Sequence, residues 1–187
     1  MRKLIATTFL TLDGVMEAPG GEQTHPHAGW VGPFFDAEVG KYKLQETLDA
    51  ESLLIGRVTY ESFAGAWPKR DGEFAEKMNA MPKHVVSCTL KNPEWSNCSV
   101  IASNWAAEVR KLKAESGGPI LVPGSRRLVH GLLAEHLIDE LRLMIFPVIL
   151  GSGQRLFPDS AEKITLRRTD SLLFPSGALV QVYAPAT

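Results

Sequence analysis

The chain has 187 residues, enough for one domain with a substantial core, and its 44% apolar and 22% charged composition is that of a globular protein. Its 20 basic and 21 acidic residues leave no basic excess for a nucleic-acid footprint, and no apolar stretch reaches the roughly 18 residues of a membrane span. Cys88 and Cys98 match no zinc or redox spacing, and MRKLIATTFLTLDG reaches Asp13-Gly14 too early for a signal peptide, so reduced thiols in a cytoplasmic protein are expected.

Leu4 to Leu12 is β-branched and apolar and stops at Asp13-Gly14, which predicts a first strand. Gly14 to Pro33 carries Gly, Pro and His without periodicity, a long loop of the kind that often serves as a lid. A helix is expected from about Phe34 to Leu48, with Phe35, Val39, Tyr42 and Leu48 on its apolar side. Ser52 to Ile55 reads as a short buried strand, followed by a short helix from about Thr59 and another from Asp71 to Met81.

Lys83 to Ser87 and Ser99 to Ala102 predict strands. Asn104 to Ala114 has helical spacing and stops at Gly117-Gly118; Pro119 to Val122 is a buried strand, and Ser125 to Glu135 is a helix with Leu128, Val129, Leu132 and Leu133 on one face. Ile138 to Ile149 predicts a long strand, bent near Pro147. Thr165 to Phe174 and Ala178 to Tyr183 close a hairpin around Pro175-Ser176-Gly177. Short apolar strands alternating with helices predict an α/β three-layer domain over residues 1–187, with a mainly parallel mixed sheet and an antiparallel C-terminal edge.

Ligands of such sheets bind beyond the carboxyl ends of the strands, and three of those ends carry suitable residues. At Gly56-Arg57-Val58-Thr59 the glycine lets a phosphate approach the backbone, the following helix start offers free N–H groups, and Arg57 and Thr59 add donors. The competing reading is a tight turn with a solvent-facing arginine. Pro123-Gly124-Ser125-Arg126-Arg127-Leu128 repeats the logic, with Ser125 as a capping candidate. Two such turns suggest helix N-termini gripping a pyrophosphate. Ser87-Cys88-Thr89 offers hydroxyls for a further phosphate, such as the ribose 2′-phosphate of NADPH, or simply for its own turn.

Gly151-Ser152-Gly153-Gln154-Arg155-Leu156 has the look of a dinucleotide fingerprint, but Phe157-Pro158-Asp159 follows in place of a helix, so it reads as a glycine loop. His25-Pro26-His27 lacks a partner ligand for a metal, and His130 and His136 read as surface residues. Asp139-Glu140 would point to opposite sheet faces, which makes them structural charges at a strand entrance and not a dyad.

LIGRVTYESF resembles the Gly-Arg-x-Thr-aromatic-Glu-Ser segment of dihydrofolate reductase. The first strand with its Leu12-Asp13-Gly14 end, and LIDELRLMIFPVILGSGQRLFP at 137–158, are more similar to the reductase domain of the bacterial riboflavin-biosynthesis deaminase-reductase and its stand-alone relatives. The resemblance runs over nearly the whole chain and implies the dihydrofolate-reductase-like fold, NADPH as cofactor and hydride transfer to a C=N or C=O of a small heterocyclic substrate, most like 5-amino-6-(5-phosphoribosylamino)uracil. Reduction of a pterin or dihydrofolate, and a non-catalytic nucleotide-binding dimer, are the alternatives. It also implies that Gly56, Arg57, Thr59 and Tyr60, Ser87 and Thr89, and Gly124, Ser125, Arg126 and Leu128 contact the cofactor. The family usually has two glycines where this chain has Gly124-Ser125. Asp13 and Asp36 become candidate proton donors, and Phe63 and Trp67 candidate pocket walls. No deaminase zinc signature is present. A homodimer is expected through the apolar late strand LRLMIFPVIL.

Overall fold

The computed structural model describes residues 1–157 and 163–186; Pro158 and Asp159 of the glycine-loop reading lie outside the described residues. In chain order the elements are β1 (Leu4–Thr11), α1 (Ala37–Asp49), β2 (Ser52–Gly56), α2 (Arg57–Ala66), α3 (Glu73–Ala80), β3 (Lys83–Val86), β4 (Cys98–Ile101), α4 (Trp105–Ala114), β5 (Ile120–Val122), α5 (Arg126–Ala134), β6 (Glu140–Phe146), β7 (Leu166–Leu173) and β8 (Leu179–Pro185). The strands form a mixed sheet in the order β4-β3-β2-β5-β1-β6-β8-β7. The fold is α/β and dihydrofolate-reductase-like, with the expected antiparallel edge. The chain groups into two compact units, Met1–Ala6 with Lys43–Asp139, and Thr7–Tyr42 with Glu140–Thr187.

In the first unit every pairing among β1, β5, β2, β3 and β4 is parallel. All five positions of β2 are buried, which explains its unbroken apolar run: a strand covered on both faces has no solvent side to alternate toward. Its core joins Leu53, Ile55, Val85 and Leu121 to Tyr60, Met78 and Trp95, with Phe63, Trp67 and Phe74 at the margin. In the second unit β6 pairs with β8 and β8 with β7, all antiparallel. Trp30, Val39, Met144, Phe146, Val180 and Val182 make its core.

Several boundaries move for local reasons. The first long helix starts at Ala37, with a single 3-10 turn over Gly32–Phe34 before it. Phe35, assigned to the helix's apolar side, precedes it and is exposed. The helix after β2 starts at Arg57 directly, because Gly56 is already its N-cap. The late strand ends at Phe146, one residue before Pro147, whose ring removes a ladder donor. Leu141, Leu143, Met144 and Phe146 of this strand are buried, while Ile149 beyond Pro147 is 69% exposed. Among the described residues no helix is long and apolar enough to cross a membrane.

One buried charge stands out in the first unit. The Lys83 side chain is fully buried, its Nζ donating to the carbonyls of Asn79 (2.9 Å), Met81 (2.8 Å) and Ser96 (3.0 Å) and lying 4.4 Å from the Trp95 ring centroid. It pins the α3–β3 turn to the segment before β4. Burial pushes its pKa down from 10.5 to about 8. The unfolded chain therefore holds more protons between those values, and this group's contribution to stability rises as pH climbs from about 8 to 10.5. Lys83→Met leaves three carbonyls unpaired and is expected to cost on the order of 2–4 kcal/mol in urea unfolding, and to abolish that alkaline gain.

Candidate functional site

The parallel strands of the first unit end at one edge. Gly56 is in register with Val86 of β3, while Ser52 and Leu53 of β2 lie beside Ile120 and Leu121 of β5. This register sets the turn into α2 against the turn into α5. The Gly56 N–H donates to the Gly124 carbonyl at 3.3 Å. A Cβ on Gly56 would overlap Ser125 Oγ and stand 3.2 Å from Ser125 Cβ. A Cβ on Gly124, whose φ is +149°, would stand 2.9 Å from Thr59 Oγ1. Each turn thus fills the space that the other's glycine leaves open. The Gly124–Ser125 peptide is cis.

This arrangement corrects two sequence readings. The space at Gly56 is taken by the Ser125 side chain within the protein. Ser125 is the N-cap residue of α5, but its hydroxyl makes no capping hydrogen bond, because it is turned against Gly56 instead.

The electrostatics of the two helix starts set them apart. A helix N-terminus carries about half a positive charge, commonly offset by an acidic residue in the first turn. Helices α1, α3 and α4 follow that pattern with Glu38, Glu73 and Glu76, and Glu108. Helices α2 and α5 have no acidic residue there and no side-chain cap. Arg126 Nε is buried with no hydrogen-bond partner, an uncompensated donor at the head of α5. The Arg57 guanidinium is already engaged, donating to Glu61 at 2.6 Å on the exposed face of α2. Together these groups can hold an anion: the donors are N–H groups and a cation, with no carboxylate in either first turn.

The other candidates of this unit have structural work. Ser87 Oγ accepts from the N–H groups of Thr89 (3.2 Å) and Leu90 (3.0 Å), closing the turn after β3, and Thr89 is exposed. The Tyr60 hydroxyl faces inward and accepts from the N–H groups of Glu94 (2.9 Å) and Trp95 (3.3 Å). Leu128 is buried. Phe63 packs edge-on against Trp67 and Trp95, and Trp67 lies 4.8 Å from the Phe74 ring and under Arg70. Packing alone accounts for both.

In the second unit Asp13 and Asp36 are hydrogen-bond acceptors. Asp36 stands before α1 and caps it, Oδ1 accepting from Val39 N–H (2.8 Å) and Oδ2 from Ser176 N–H (3.1 Å). The Val39 N–H is the main reason that its carboxyl lies below the usual value, with burial opposing and the Ser176 contacts adding. Asp13 accepts from the Thr11 hydroxyl (2.5 Å), Gly151 N–H (2.9 Å) and Leu150 N–H (3.3 Å). The Thr11 bond is the main reason that its pKa is lowered, with burial opposing and the two N–H groups adding.

The glycine loop is drawn onto the 13–17 turn further by Glu17, whose Oε2 accepts from Gln154 N–H (2.9 Å), and by a Val15–Arg155 bridge. Sequence reading passed over Glu17, since nothing local marks a carboxylate whose partner lies in a distant loop. Beside this clasp, His27, Trp30, Pro33, Phe34, Val148 and Ile149 line an open, mostly apolar cleft of about 390 Å³. Among the described residues no cluster of His, Cys, Asp or Glu could hold a metal ion.

Comparisons agree with this architecture. The RibD C-terminal domain family model matches residues 2–180. Uncharacterized protein YyaP of Bacillus subtilis is 30% identical, the match covering 97% of this chain and 94% of that one; YwjB of the same organism is 25% identical over 97% of each. Among solved structures, a putative riboflavin biosynthesis protein from Shewanella sp. PV-4 superposes with TM-score 0.74 at 18% identity over 99% of both chains. Dihydrofolate reductase from Enterococcus faecalis, complexed with NADP(H), gives 0.64 at 13% over 99% of this chain and 97% of that one. The Thermotoga maritima deaminase/5-amino-6-(5-phosphoribosylamino)uracil reductase gives 0.67 at 12%, covering 99% of this chain and 57% of that one. At these identities the structures show the shared fold.

Two outcomes test the site's construction. Gly56→Ala is expected to cost on the order of 2 kcal/mol, and Ser125→Gly in the same chain to recover about half of it, read as coupling in a double-mutant cycle of unfolding free energies. Asp13→Asn is expected to raise hydrogen exchange at the Leu150 and Gly151 amides about tenfold. Because the Asp13 pKa is lowered from 3.8, its contribution to stability is present above that value and fades as pH falls below it.

Proposed function

This chain belongs to the RibD C-terminal domain family, and on that premise we propose that it is an NADPH-dependent oxidoreductase acting on a small heterocyclic substrate, most like 5-amino-6-(5-phosphoribosylamino)uracil. The family is the reductase domain of the riboflavin-biosynthesis enzyme, which supports an oxidoreductase. The observation that carries the cofactor reading is the pair of interlocked turns, where two helix N-termini without acidic residues meet beside the unpartnered Arg126 Nε.

In this reading the first-turn N–H groups of α2 and α5, the Thr59 hydroxyl and Arg126 hold the phosphates of NADPH. The bound cofactor supplies the hydride for a C=N or C=O carbon. The protein's share is to bind, orient and exclude water. Asp13 and Asp36, with lowered pKa values and their oxygens engaged as acceptors, are ionised at neutral pH. We assign them to positioning the loops rather than to proton delivery.

NADPH titration followed by fluorescence tests the reading, and no binding up to roughly millimolar cofactor overturns it. Arg126→Ala is expected to weaken NADPH binding about tenfold or more, by loss of a charge-assisted contact. Arg57→Ala, whose guanidinium has a partner in Glu61, is expected to weaken it less. Turnover with the ribosylaminopyrimidine and with dihydrofolate then separates the substrate classes.

A further inference from the structure

The His25-Pro26-His27 stretch has no place in the cofactor reading, yet its first ring is held at both nitrogens. His25 Nδ1 accepts from the His27 N–H at 3.1 Å, and Nε2 lies 3.3 Å from Ser152 Oγ in the glycine loop. A peptide N–H can only donate, so Nδ1 carries the lone pair. The ring is therefore neutral, with its proton on Nε2, which donates to Ser152. It rests on Gly153, whose φ is +112°: a Cβ there would stand 3.3 Å from the ring's Cδ2 and Nε2 and 2.8 Å from Val15 Cγ1.

Adding a proton changes the two contacts unequally. Protonated Nδ1 becomes a donor facing the His27 donor, and that bond is lost. Nε2 remains a donor, now charge-assisted, and keeps its hold on Ser152. The following residues have ties of their own: Gly29 N–H to the Ala18 carbonyl at 3.0 Å and Trp30 Nε1–H to the Glu17 carbonyl at 2.7 Å. The loss is thus confined to position 27, whose side chain lines the apolar cleft beside Trp30.

The other charged and titratable groups around the ring come from three segments. On its own loop are Glu22, which accepts from Gly20 N–H, and His27, whose ring centroid lies 5.6 Å away. On the facing turn Asp13 and Glu17 accept N–H groups of the glycine loop, and in that loop Arg155 Nε donates to the Asp13 carbonyl. A second imidazolium at His27 would repel the first, which acts in the same direction as the lost bond.

We propose that His25 is a protonation switch for one wall of this cleft. Neutral, it accepts from the His27 N–H and ties position 27 to the glycine loop; protonated, it keeps Ser152 and releases position 27. The switch stands apart from the cofactor reading, since none of these residues belongs to the anion-holding turns.

Amide hydrogen exchange by NMR on the full chain tests it, between about pH 8 and 5.5, where a histidine takes up its proton. Each rate is divided by that of an unstructured peptide at the same pH. Protection of the position-27 amide is expected to fall about tenfold as the pH drops, the worth of one hydrogen bond. The Trp30 indole N–H is expected to keep its protection throughout. His25→Asn sets an amide oxygen in place of Nδ1 and is expected to hold position 27 at every pH. His25→Gln reaches Ser152 but offers no acceptor at the place of Nδ1, and is expected to leave position 27 unprotected at every pH. His27→Gln removes the second ring, keeps the backbone amide, and is expected to titrate as the wild type does. Circular dichroism checks the fold of each variant, and the opposite outcomes of the two His25 variants separate a switch from a loosened loop. A flat wild-type profile, an unchanged titration in His25→Asn, protection in His25→Gln, no titration in His27→Gln, or opening of the Trp30 indole together with position 27 overturns the proposal.

Discussion

Everything that can hold a ligand in the first unit depends on the mutual exclusion between two glycines and two side chains. Ser125 occupies the place of a Gly56 side chain, and Thr59 approaches the place of a Gly124 side chain. A methyl group at either glycine would push one strand-to-helix turn off the other. The contact fixes the starts of α2 and α5 side by side, so their half-charges add in one place. The glycines therefore do more than permit a turn: they set the spacing of two dipoles.

That spacing is left electrically open. The helices elsewhere begin with glutamates, and these two do not. A protein that spent nothing on ligands would gain a few tenths of a kcal/mol or more by an acid in each first turn. Leaving both starts positive, next to a buried guanidinium nitrogen without a partner, makes sense where an anion completes the site. Much of the polar chemistry elsewhere holds backbone. Asp13, Asp36, Ser87 and the Tyr60 hydroxyl each accept from peptide N–H groups of loops or helix starts, and Lys83 donates to three carbonyls.

The element order was legible because local pattern carries it: buried runs such as Leu53-Leu54-Ile55 and the helical spacing of Leu128, Val129 and Leu132 are properties of short windows. The two glycine turns were legible for the same reason, since Gly56 and Gly124 each follow a buried strand and precede a helix. The role of each side chain was less so. Ser125 reads as a helix cap and Tyr60 as a cofactor neighbour, yet one is turned against a glycine from another strand and the other into the core. Whether a hydroxyl caps, packs or binds depends on what stands opposite it, and that partner is distant in the chain.

By itself, then, the sequence determined the alternation of strands and helices, the parallel character of the central sheet, and the family likeness carried by Leu12-Asp13-Gly14 and LIDELRLMIFPVILGSGQRLFP. Those follow from periodicity, from glycine and proline punctuation, and from residue types at fixed short spacing. Tertiary structure alone decided that β2 and β5 lie in register, so that Ser125 meets Gly56, and that Lys83 is buried against the segment before β4. Each of these joins residues whose relation is set by strand pairing and register, and a pairing shifted by one residue would turn every such side chain to the other face.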